Sequence, residues 1–349
     1  PSTSSAASDV YKRQVLANEQ VIEGNCERCD SEVIKKNLNQ WFLKISNYSE
    51  ELLNGLDEIG DWPENVKSMQ ENWIGKSSGV QFNLKIDETE LDFDVFTTRP
   101  DTLFGMTFAV ISPEHDLMNE ILSISSNSKE IKKYIDTAKS KSEFERMSIT
   151  KEKTGVDTGL KVLNPINNKK VPLWVADYVL INYGTGAIMA VPGHDERDYE
   201  FAKKYNLEIV QVIIDKDHSI DIKEKPYIEN GVLINSGDYD GLKSHTDGSE
   251  SILEYLSEQN LGEKKVTYRL RDWLISRQRY WGCPIPLINC SKCGLVPESI
   301  ENLPVLLPEI DDYKNSEDSP LAKSEDFVLT KCPNCCLLYT SPSPRDSNL

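Results

Sequence analysis

The chain has 349 residues, of which 38% are hydrophobic and 28% are charged, a composition typical of soluble globular proteins with two or three domains. A net charge of −18 excludes general binding to polyanions, so a nucleic-acid contact would need a local basic patch or another part of a longer protein. No apolar run approaches the roughly 20 residues that span a bilayer and no signal peptide opens the chain, so we expect a cytoplasmic protein without a membrane partner.

The two ends of the chain, 1–14 and 336–349, show neither hydrophobic periodicity nor helix-capping signals. Both are similar to translated adapter sequence, and we expect them to be non-native or disordered and without function. The native part would then run from about Val15 to about Cys335.

Residues 15–78 begin with short strands around a Cys-x-x-Cys knuckle formed by Cys26 and Cys29. Tetrahedral zinc takes four ligands, so this knuckle is half of a zinc site. An aromatic and apolar strand near Trp41 then leads into two amphipathic helices, the second of which ends at Gly75.

Residues 79–266 alternate between strand and helix patterns, which predicts an α/β domain of about 190 residues. The predicted strands are Val80–Ile86, Leu91–Thr97, Phe108–Ile111, Pro172–Leu180, Ala187–Val191 and Ile209–Ile214. The predicted helices are Leu117–Ile124, Lys129–Lys139, Asp195–Tyr205 and Ser249–Gln259.

A loop rich in hydroxyl groups follows the second of these strands. Pro100 cannot continue the strand, so the chain turns into a loop there. The loop contains Thr97, Thr98, Arg99, Asp101 and Thr102. Such a cluster of polar groups at a strand end is typical of a binding site.

A second polar stretch runs from Tyr183 to Asp198, where a glycine-punctuated turn and a short strand lead into a helix. Asp195 and Asp198 share one face of its first turn, where the helix dipole favours ionised carboxylates that would attract an ammonium group. The alternative is an ordinary N-cap followed by an acid in the first turn.

The basic part of the chain is Tyr268–Pro286, in which Arg269, Arg271, Arg277 and Arg279 alternate with aromatic residues. This pattern suits contacts with phosphates and bases, although solvated or ion-paired arginines on a helix face would give the same pattern.

Two further Cys-x-x-Cys knuckles close the chain, Cys290 with Cys293 and Cys332 with Cys335, separated by 38 residues. Four thiolates at this spacing predict a structural zinc ribbon with a long insertion.

The threonine stretch and the double-aspartate stretch together resemble the editing domain of the leucyl-tRNA synthetases, which hydrolyses wrong amino acids from tRNA. The runs Asp101–Gly105 and His194–Asp198 favour the leucyl type over the valyl and isoleucyl types. The resemblance implies an α/β fold: part of a split class I Rossmann-like core, an inserted editing domain of mixed strands and helices, and a zinc ribbon.

The same resemblance divides the chain into segments. They are a leader at 1–14, part of the synthetic core with the half knuckle at 15–78, the editing domain at 79–266, the re-entry into the core at 267–288, the zinc ribbon at 289–335 and a tail at 336–349.

The resemblance also implies roles for single residues, with Asp198 holding the α-ammonium of the misattached amino acid beside Asp195. Thr102 would be the steric gate that protects leucine. The remaining pocket residues would surround the terminal adenosine and the apolar side chain: Thr97, Thr98, Arg99, Tyr183, Met189 and Val191.

The implied cofactors are a structural zinc held by the four late cysteines, and ATP with magnesium for the longer parent protein. The implied partner is tRNA(Leu), and the parent protein would also bind leucine and ATP. Neither DNA nor a membrane is expected as a partner. Since the chain lacks a His-Ile-Gly-His motif, we expect no aminoacylation by these residues alone. A valyl or isoleucyl enzyme and a non-enzymatic zinc-ribbon binding protein are the alternatives.

Overall fold

The computed structural model describes residues 2–9, 15–16, 21–22, 25–27, 29–140, 146, 152–181, 184–215, 221–275, 284–309, 324, 327, 329–336 and 338–340. The chain forms two compact units, which are described separately: the first contains Pro1–Gly55 and Leu270–Leu349, and the second contains Leu56–Arg269. No helix in the described ranges combines the length and the apolar character needed to cross a membrane.

The α-helices of the described residues, in chain order, are α1 (Ser49–Glu58), α2 (Glu64–Ile74), α3 (Met118–Ile124), α4 (Ser128–Ser140), α5 (Glu196–Tyr205) and α6 (Asp247–Glu258). The short 3-10 helices are Ile45–Tyr48, Pro100–Gly105, Gly237–Tyr239 and Ile300–Asn302.

The strands are β1 (Ser2–Asp9), β2 (Val15–Leu16), β3 (Val21–Ile22), β4 (Asn25–Cys26), β5 (Val33–Gln40), β6 (Phe42–Leu43), β7 (Lys76–Lys85), β8 (Asp92–Thr97), β9 (Phe108–Ile111), β10 (Gly155–Leu163), β11 (Lys170–Ala176), β12 (Ala187–Ala190), β13 (Ile213–Ile214), β14 (Val232–Leu233), β15 (Gly262–Tyr268), β16 (Trp273–Leu274), β17 (Leu287–Cys290), β18 (Gly294–Pro297), β19 (Leu329–Lys331) and β20 (Leu338–Thr340).

The second unit is built on two larger sheets. One has the order β10-β11-β9-β12, in which β11 and β9 run parallel and the other neighbours run antiparallel. The other has the antiparallel order β15-β7-β8. This architecture is the mixed α/β class that the alternating patterns predicted.

Strand β9 is buried on both faces because its four residues are all apolar. Ala109 and Ile111 belong to the large core that also contains Val95, while Phe108 and Val110 face the opposite side. Phe108 stacks there at 5.4 Å between ring centroids on a phenylalanine of α5, so this helix covers that side of the sheet.

Helix α5 begins and ends where its own residues specify. Asp195 is its N-cap, and its side chain accepts hydrogen bonds from the backbone N–H groups of residues 197 and 198. Lys203 and Lys204 occupy the last turn, where cations are favourable, and Asn206 closes the helix in the left-handed conformation.

The predicted helices and strands agree with the structure in several places and differ in others. Strand Phe108–Ile111 has its predicted bounds, whereas only residues 213–214 of the predicted strand at 209–214 pair. Strands β10 and β15 were not predicted. Strand β1 pairs with β5 in a stretch for which the sequence predicted no regular structure, because backbone pairing needs no apolar period.

In α1 the predicted apolar face is only partly used. Leu56 is buried, but Leu52 and the preceding Tyr48 are exposed. Helix α2 ends as predicted, since Gly75 has φ +60° and supplies the left-handed C-cap.

Candidate functional site

The two polar stretches of the sequence meet in the second unit at the end of β12. A methyl group added to Gly105 would lie 3.1 Å from Val191 Cγ1, so the loop after β8 packs on the residue that follows β12. Leu103 and Met189 belong to the same buried cluster. The structure therefore brings the threonine loop (residues 97–105) against the turn that leads into α5.

Hydroxyl groups fix the backbone of the threonine loop. Thr97 Oγ1 accepts a hydrogen bond of 3.0 Å from the N–H of Arg99, and the Thr102 hydroxyl donates to the carbonyl of Arg99 at 2.8 Å. Thr102 is only 3% exposed, whereas Thr98 is exposed. Thr102 thus has one fixed orientation, with its methyl group held in a defined place.

An ion pair supports the same loop. Arg99 donates from Nε to Asp101 Oδ1 at 3.1 Å and from Nη2 to Oδ2 at 2.9 Å, a bidentate arrangement. The Asp101 carboxylate is fully buried while the Arg99 side chain is about one fifth exposed. Arg99 can therefore present its remaining N–H donors to an anionic ligand such as a nucleotide phosphate.

Asp195 occupies the capping position that was the alternative interpretation of the acid pair. Its Oδ1 accepts from the N–H groups of Arg197 at 2.9 Å and Asp198 at 3.1 Å. Its other oxygen is 3.4 Å from Arg197 Nη2. These bonds engage Asp195 in holding the start of α5.

Asp198 is the buried carboxylate of the site, at 4% exposure. Its Oδ2 accepts from the N–H of Val191 at 2.8 Å, and its Oδ1 accepts from the Tyr178 hydroxyl at 3.1 Å. A carboxylate oxygen can accept two hydrogen bonds, so these contacts leave acceptor capacity on both oxygens.

The ionisation of Asp198 differs from the expectation that the helix dipole keeps it charged. Burial, with a smaller contribution from the Asp195 charge, raises the pKa of Asp198 to about 7, although the Val191 N–H, the Arg197 charge and the Tyr178 hydroxyl oppose the rise. Desolvation outweighs the dipole because the carboxyl group has left water. Asp198 is consequently poised to ionise when a cation approaches.

Of the two apolar residues predicted for the pocket, Val191 contacts this carboxylate directly, through its backbone N–H. Met189 and Val191 are both buried and belong to the large core cluster. Tyr183 lies outside the described residues. Gly186, near the start of β12, has φ +75°, and a Cβ there would come within 2.5 Å of Ile181 Cδ1. The turn before β12 therefore requires glycine at this position.

His194 is a site residue whose structural role the sequence analysis missed. Its Nε2 accepts from the backbone N–H groups of Val212 at 2.9 Å and Ile213 at 3.1 Å, and its Nδ1 lies 2.7 Å from the Tyr227 carbonyl. Only the neutral tautomer with the proton on Nδ1 satisfies all three contacts. Burial lowers the pKa of His194 to about 4. The residue thus ties the β12–α5 turn to two later segments of the same unit.

Tyr178 and Arg146 were also missed. Arg146 is 5% exposed, and it donates to the backbone carbonyls on either side of Tyr178. Neither residue belongs to a recognisable motif, and both lie far from residue 198 in the sequence. No local signal in the sequence could have linked them to the site.

The four late cysteines converge in the first unit. Strands β17 and β18 form a hairpin in which Cys290 pairs with Gly294, and the ligand atoms of Cys290, Cys293, Cys332 and Cys335 all lie within 4.8 Å of one another. A tetrahedron with zinc–sulfur bonds of about 2.3 Å needs sulfurs about 3.8 Å apart, and the Cys290 and Cys335 sulfurs are 3.6 Å apart. The donor set therefore fits a thiolate-preferring metal ion.

The other predicted features are only partly described. Cys26 is buried and Cys29 is partly exposed at the early knuckle, where the Cys29 thiol lies 3.2 Å from a serine hydroxyl. Arg269 and Arg271 are described, and the Arg269 N–H continues the pairing of β15 by bonding to the Ile74 carbonyl. Arg277 and Arg279 lie outside the described residues.

Comparison with known proteins gives one family and a consistent set of relatives. A family model described as "Leucyl-tRNA synthetase, editing domain" matches residues 71–257. The chain is 56% identical to the leucine–tRNA ligase of Clostridium tetani and 54% identical to that of Clostridium botulinum. Both alignments cover 321 residues, which is 92% of this chain.

The chain is also similar to a solved structure, described as the ternary complex of Agrobacterium radiobacter K84 agnB2 LeuRS-tRNA-LeuAMS. The TM-score is 0.75 and the sequence identity is 37%, with 98% of this chain and 39% of that chain covered. The chain spans 38% of the length of the Clostridium relatives.

Proposed function

Since the chain belongs to the leucyl-tRNA synthetase editing-domain family, we propose that its second unit hydrolyses amino acids wrongly attached to tRNA(Leu). The observation that carries this proposal is the buried Asp198 carboxylate at the junction of the threonine loop, β12 and α5. A misacylated tRNA offers an α-ammonium group beside the ester bond, and a buried carboxylate is a matching partner for it.

The proposed roles are those that the resemblance to the family implies, and the contacts of Asp198 and Asp195 support them. Asp198 binds the α-ammonium, and its charge is stabilised when that cation arrives. Asp195 keeps the start of α5 in place. Met189 and Val191 line the apolar side, with Thr102 as the steric gate.

The threonine loop would receive the end of the tRNA. Thr97, Thr98 and Arg99, with Tyr183, shape the pocket around the terminal adenosine. Water is the nucleophile, and the rate comes from holding the ester in position and from electrostatic stabilisation of the developing charge.

We also propose the functions of the longer protein from its relatives. They bear the name leucine–tRNA ligase, so the parent would attach leucine to tRNA(Leu) with ATP and magnesium. The four-cysteine cluster of the first unit would hold a structural zinc ion, which stabilises its own fold and takes no part in editing.

The test is deacylation of isoleucyl-, norvalyl- and leucyl-tRNA(Leu) by the full chain, with tRNA in excess to offset the acidic surface. Hydrolysis of the first two and sparing of the third are expected. Asp198→Ala should lose hydrolysis of every substrate, because the ammonium has lost its partner.

A matched control is Glu196→Gln, which removes an exposed negative charge from the same helix turn and should keep the parent rate. An Asp198→Ala variant that still hydrolyses isoleucyl-tRNA at the parent rate would contradict the proposal.

A further inference from the structure

The Asp198 carboxylate is held from two sides by groups that differ in kind. On one side the donor is the backbone N–H of Val191, which only a proline at this position would remove. On the other side the donor is the hydroxyl of Tyr178, 3.1 Å from Oδ1. Removing the Tyr178 hydroxyl would leave the carboxyl group hydrogen-bonded at one oxygen only.

Tyr178 is itself placed for this contact. It follows β11, is 8% exposed, and packs its ring at 5.5 Å from that of Phe201 on α5. Burial and the neighbouring Asp198 charge raise the pKa of Tyr178 well above its ordinary value, so the phenol remains a proton donor across the working pH range.

The backbone around Tyr178 is braced by Arg146. Arg146 donates from Nε to the Asp177 carbonyl at 2.6 Å and from Nη2 to the Val179 carbonyl at 2.9 Å, so the guanidinium group spans the residue between them. Its Nη1 forms an ion pair of 2.6 Å with Glu114. A buried, fully engaged arginine restricts the position from which the Tyr178 hydroxyl reaches Asp198.

We propose that Tyr178 is a positioning residue of the editing site, whose hydroxyl fixes the orientation of the Asp198 carboxylate and favours its charged form for binding the substrate ammonium. This inference rests on the proposed function, because it assigns Tyr178 to the group that binds the α-ammonium. It adds a group from the β11 side of the sheet to a site that the sequence placed on the threonine loop and α5.

The pH dependence of editing reports this role. The groups that act on Asp198 are Asp195 and Arg197 from α5, the Val191 N–H from the end of β12, and Tyr178. Of these, Asp195 raises the pKa of Asp198 while Arg197, the Val191 N–H and the Tyr178 hydroxyl lower it. Loss of the hydroxyl should therefore move the pKa of Asp198 upward, because the charged carboxylate loses a hydrogen-bond donor.

The experiment compares Tyr178→Phe with the parent in isoleucyl-tRNA(Leu) deacylation, using the full chain from pH 6 to 8.5. The value followed is kcat/KM, corrected for spontaneous ester hydrolysis. An upward move of this pKa from about 7 predicts a severalfold loss of kcat/KM at pH 6.5 that nearly disappears at pH 8.5, where Asp198 is ionised in both proteins. Titration of the substrate amine affects both proteins equally and cancels in their ratio.

Tyr199→Phe is the matched control, since Tyr199 is also buried and donates its hydroxyl to the Lys223 carbonyl. Its ratio to the parent should not change with pH. Thermal unfolding of both variants separates a loss of stability from a loss of positioning.

The outcomes distinguish the two proposals. If Asp198→Ala is inactive and Tyr178→Phe follows the parent pH profile, the role of Tyr178 is wrong while the editing function stands. A Tyr178→Phe loss that is equal at every pH overturns the positioning role as well, because a purely structural defect has that form. An active Asp198→Ala variant would overturn the proposed function itself.

Discussion

Thr102 has a buried side chain whose hydroxyl already forms a hydrogen bond within the protein. The hydroxyl donates to the Arg99 carbonyl inside its own loop, so the side chain cannot rotate away without losing that bond. β-Branched side chains are in any case restricted about their first torsion angle. The Thr102 side chain is therefore held rigidly, as the proposed role of a steric gate requires.

Thr102→Ala should hydrolyse correctly charged leucyl-tRNA, because a pocket that only binds apolar side chains separates amino acids differing by one methylene by about 1–3 kcal/mol. Thr102→Val keeps the branched shape and removes the hydroxyl. It should still spare leucyl-tRNA, and deacylation of leucyl-tRNA by the two variants is the measurement. If the valine variant hydrolyses leucyl-tRNA as fast as the alanine variant, the hydroxyl and not the shape protects leucine.

Some residues of the proposed site could be predicted from local sequence pattern and others could not. Asp198 and the threonine loop stand next to strand ends and turn signals, so local pattern was sufficient to select them. Tyr178 and Arg146 act through contacts across 20 and about 32 residues of sequence, respectively. Such pairings depend on how the sheet is assembled, which local pattern does not contain.

At the level of elements, the two late cysteine knuckles have very little hydrophobic core of their own. The only buried residues in their hydrophobic cluster, within the described part of the chain, are Cys290, Val296 and Cys332. So small a cluster cannot offset the conformational entropy of the two hairpins. The ribbon should need its metal in order to fold.

We therefore expect a zinc stoichiometry near one, lost in Cys293→Ser because a tetrahedral site then lacks one of its thiolates. Cys336→Ser is the matched control, since Cys336 is an exposed neighbour outside the four-cysteine set. Metal analysis of the purified variants is the measurement, and Cys26 and Cys29 should add little metal. Zinc retained after all four cysteines are replaced by serine would contradict the assignment.

Two strands of the second unit that the sequence analysis missed, β10 and β15, lie at the edges of their sheets. An edge strand tolerates charges, and Glu263, Lys264 and Lys265 of β15 interrupt the alternation that marks a half-buried strand. Central strands such as β9 were predicted to the residue because burial on both faces demands a continuous apolar run.

For the second unit as a whole, two buried groups act on stability in opposite directions as the pH changes. The folded pKa of His194 lies below its ordinary value of 6.5, so its stabilisation is present above pH 6.5 and is lost as the pH falls through about 4. The folded pKa of Asp198 lies above its ordinary value of 3.8, so its stabilisation is present below that pH and is lost as the pH rises through about 7. Between these limits the two contributions oppose each other.

Replacing either residue should therefore change the pH dependence of the free energy of unfolding, and the two replacements should change it in opposite directions. As the pH rises from 4 to 7, the free energy of unfolding of Asp198→Asn should increase relative to the parent by about 3 kcal/mol. As the pH rises from 4 to 6.5, that of His194→Asn should decrease relative to the parent by about 3 kcal/mol. Urea unfolding at fixed pH values measures both differences. Glu196→Gln, at an exposed position, should run parallel to the parent, and a His194→Asn profile that also runs parallel would show that His194 does not titrate in this range.

The pairing of β7 with β15 sets Lys76 directly opposite Tyr268, at the two ends of the segment 76–268. About 190 residues of folded chain thus begin and finish at points separated by roughly the 5 Å between paired strands. For the polypeptide on either side, the folded segment 76–268 acts as a very short connection. Its entropic cost of loop closure is therefore far smaller than that of an unstructured segment of the same length. Grafting 76–268 into a surface turn of an unrelated host should therefore leave the host's own folding nearly unchanged.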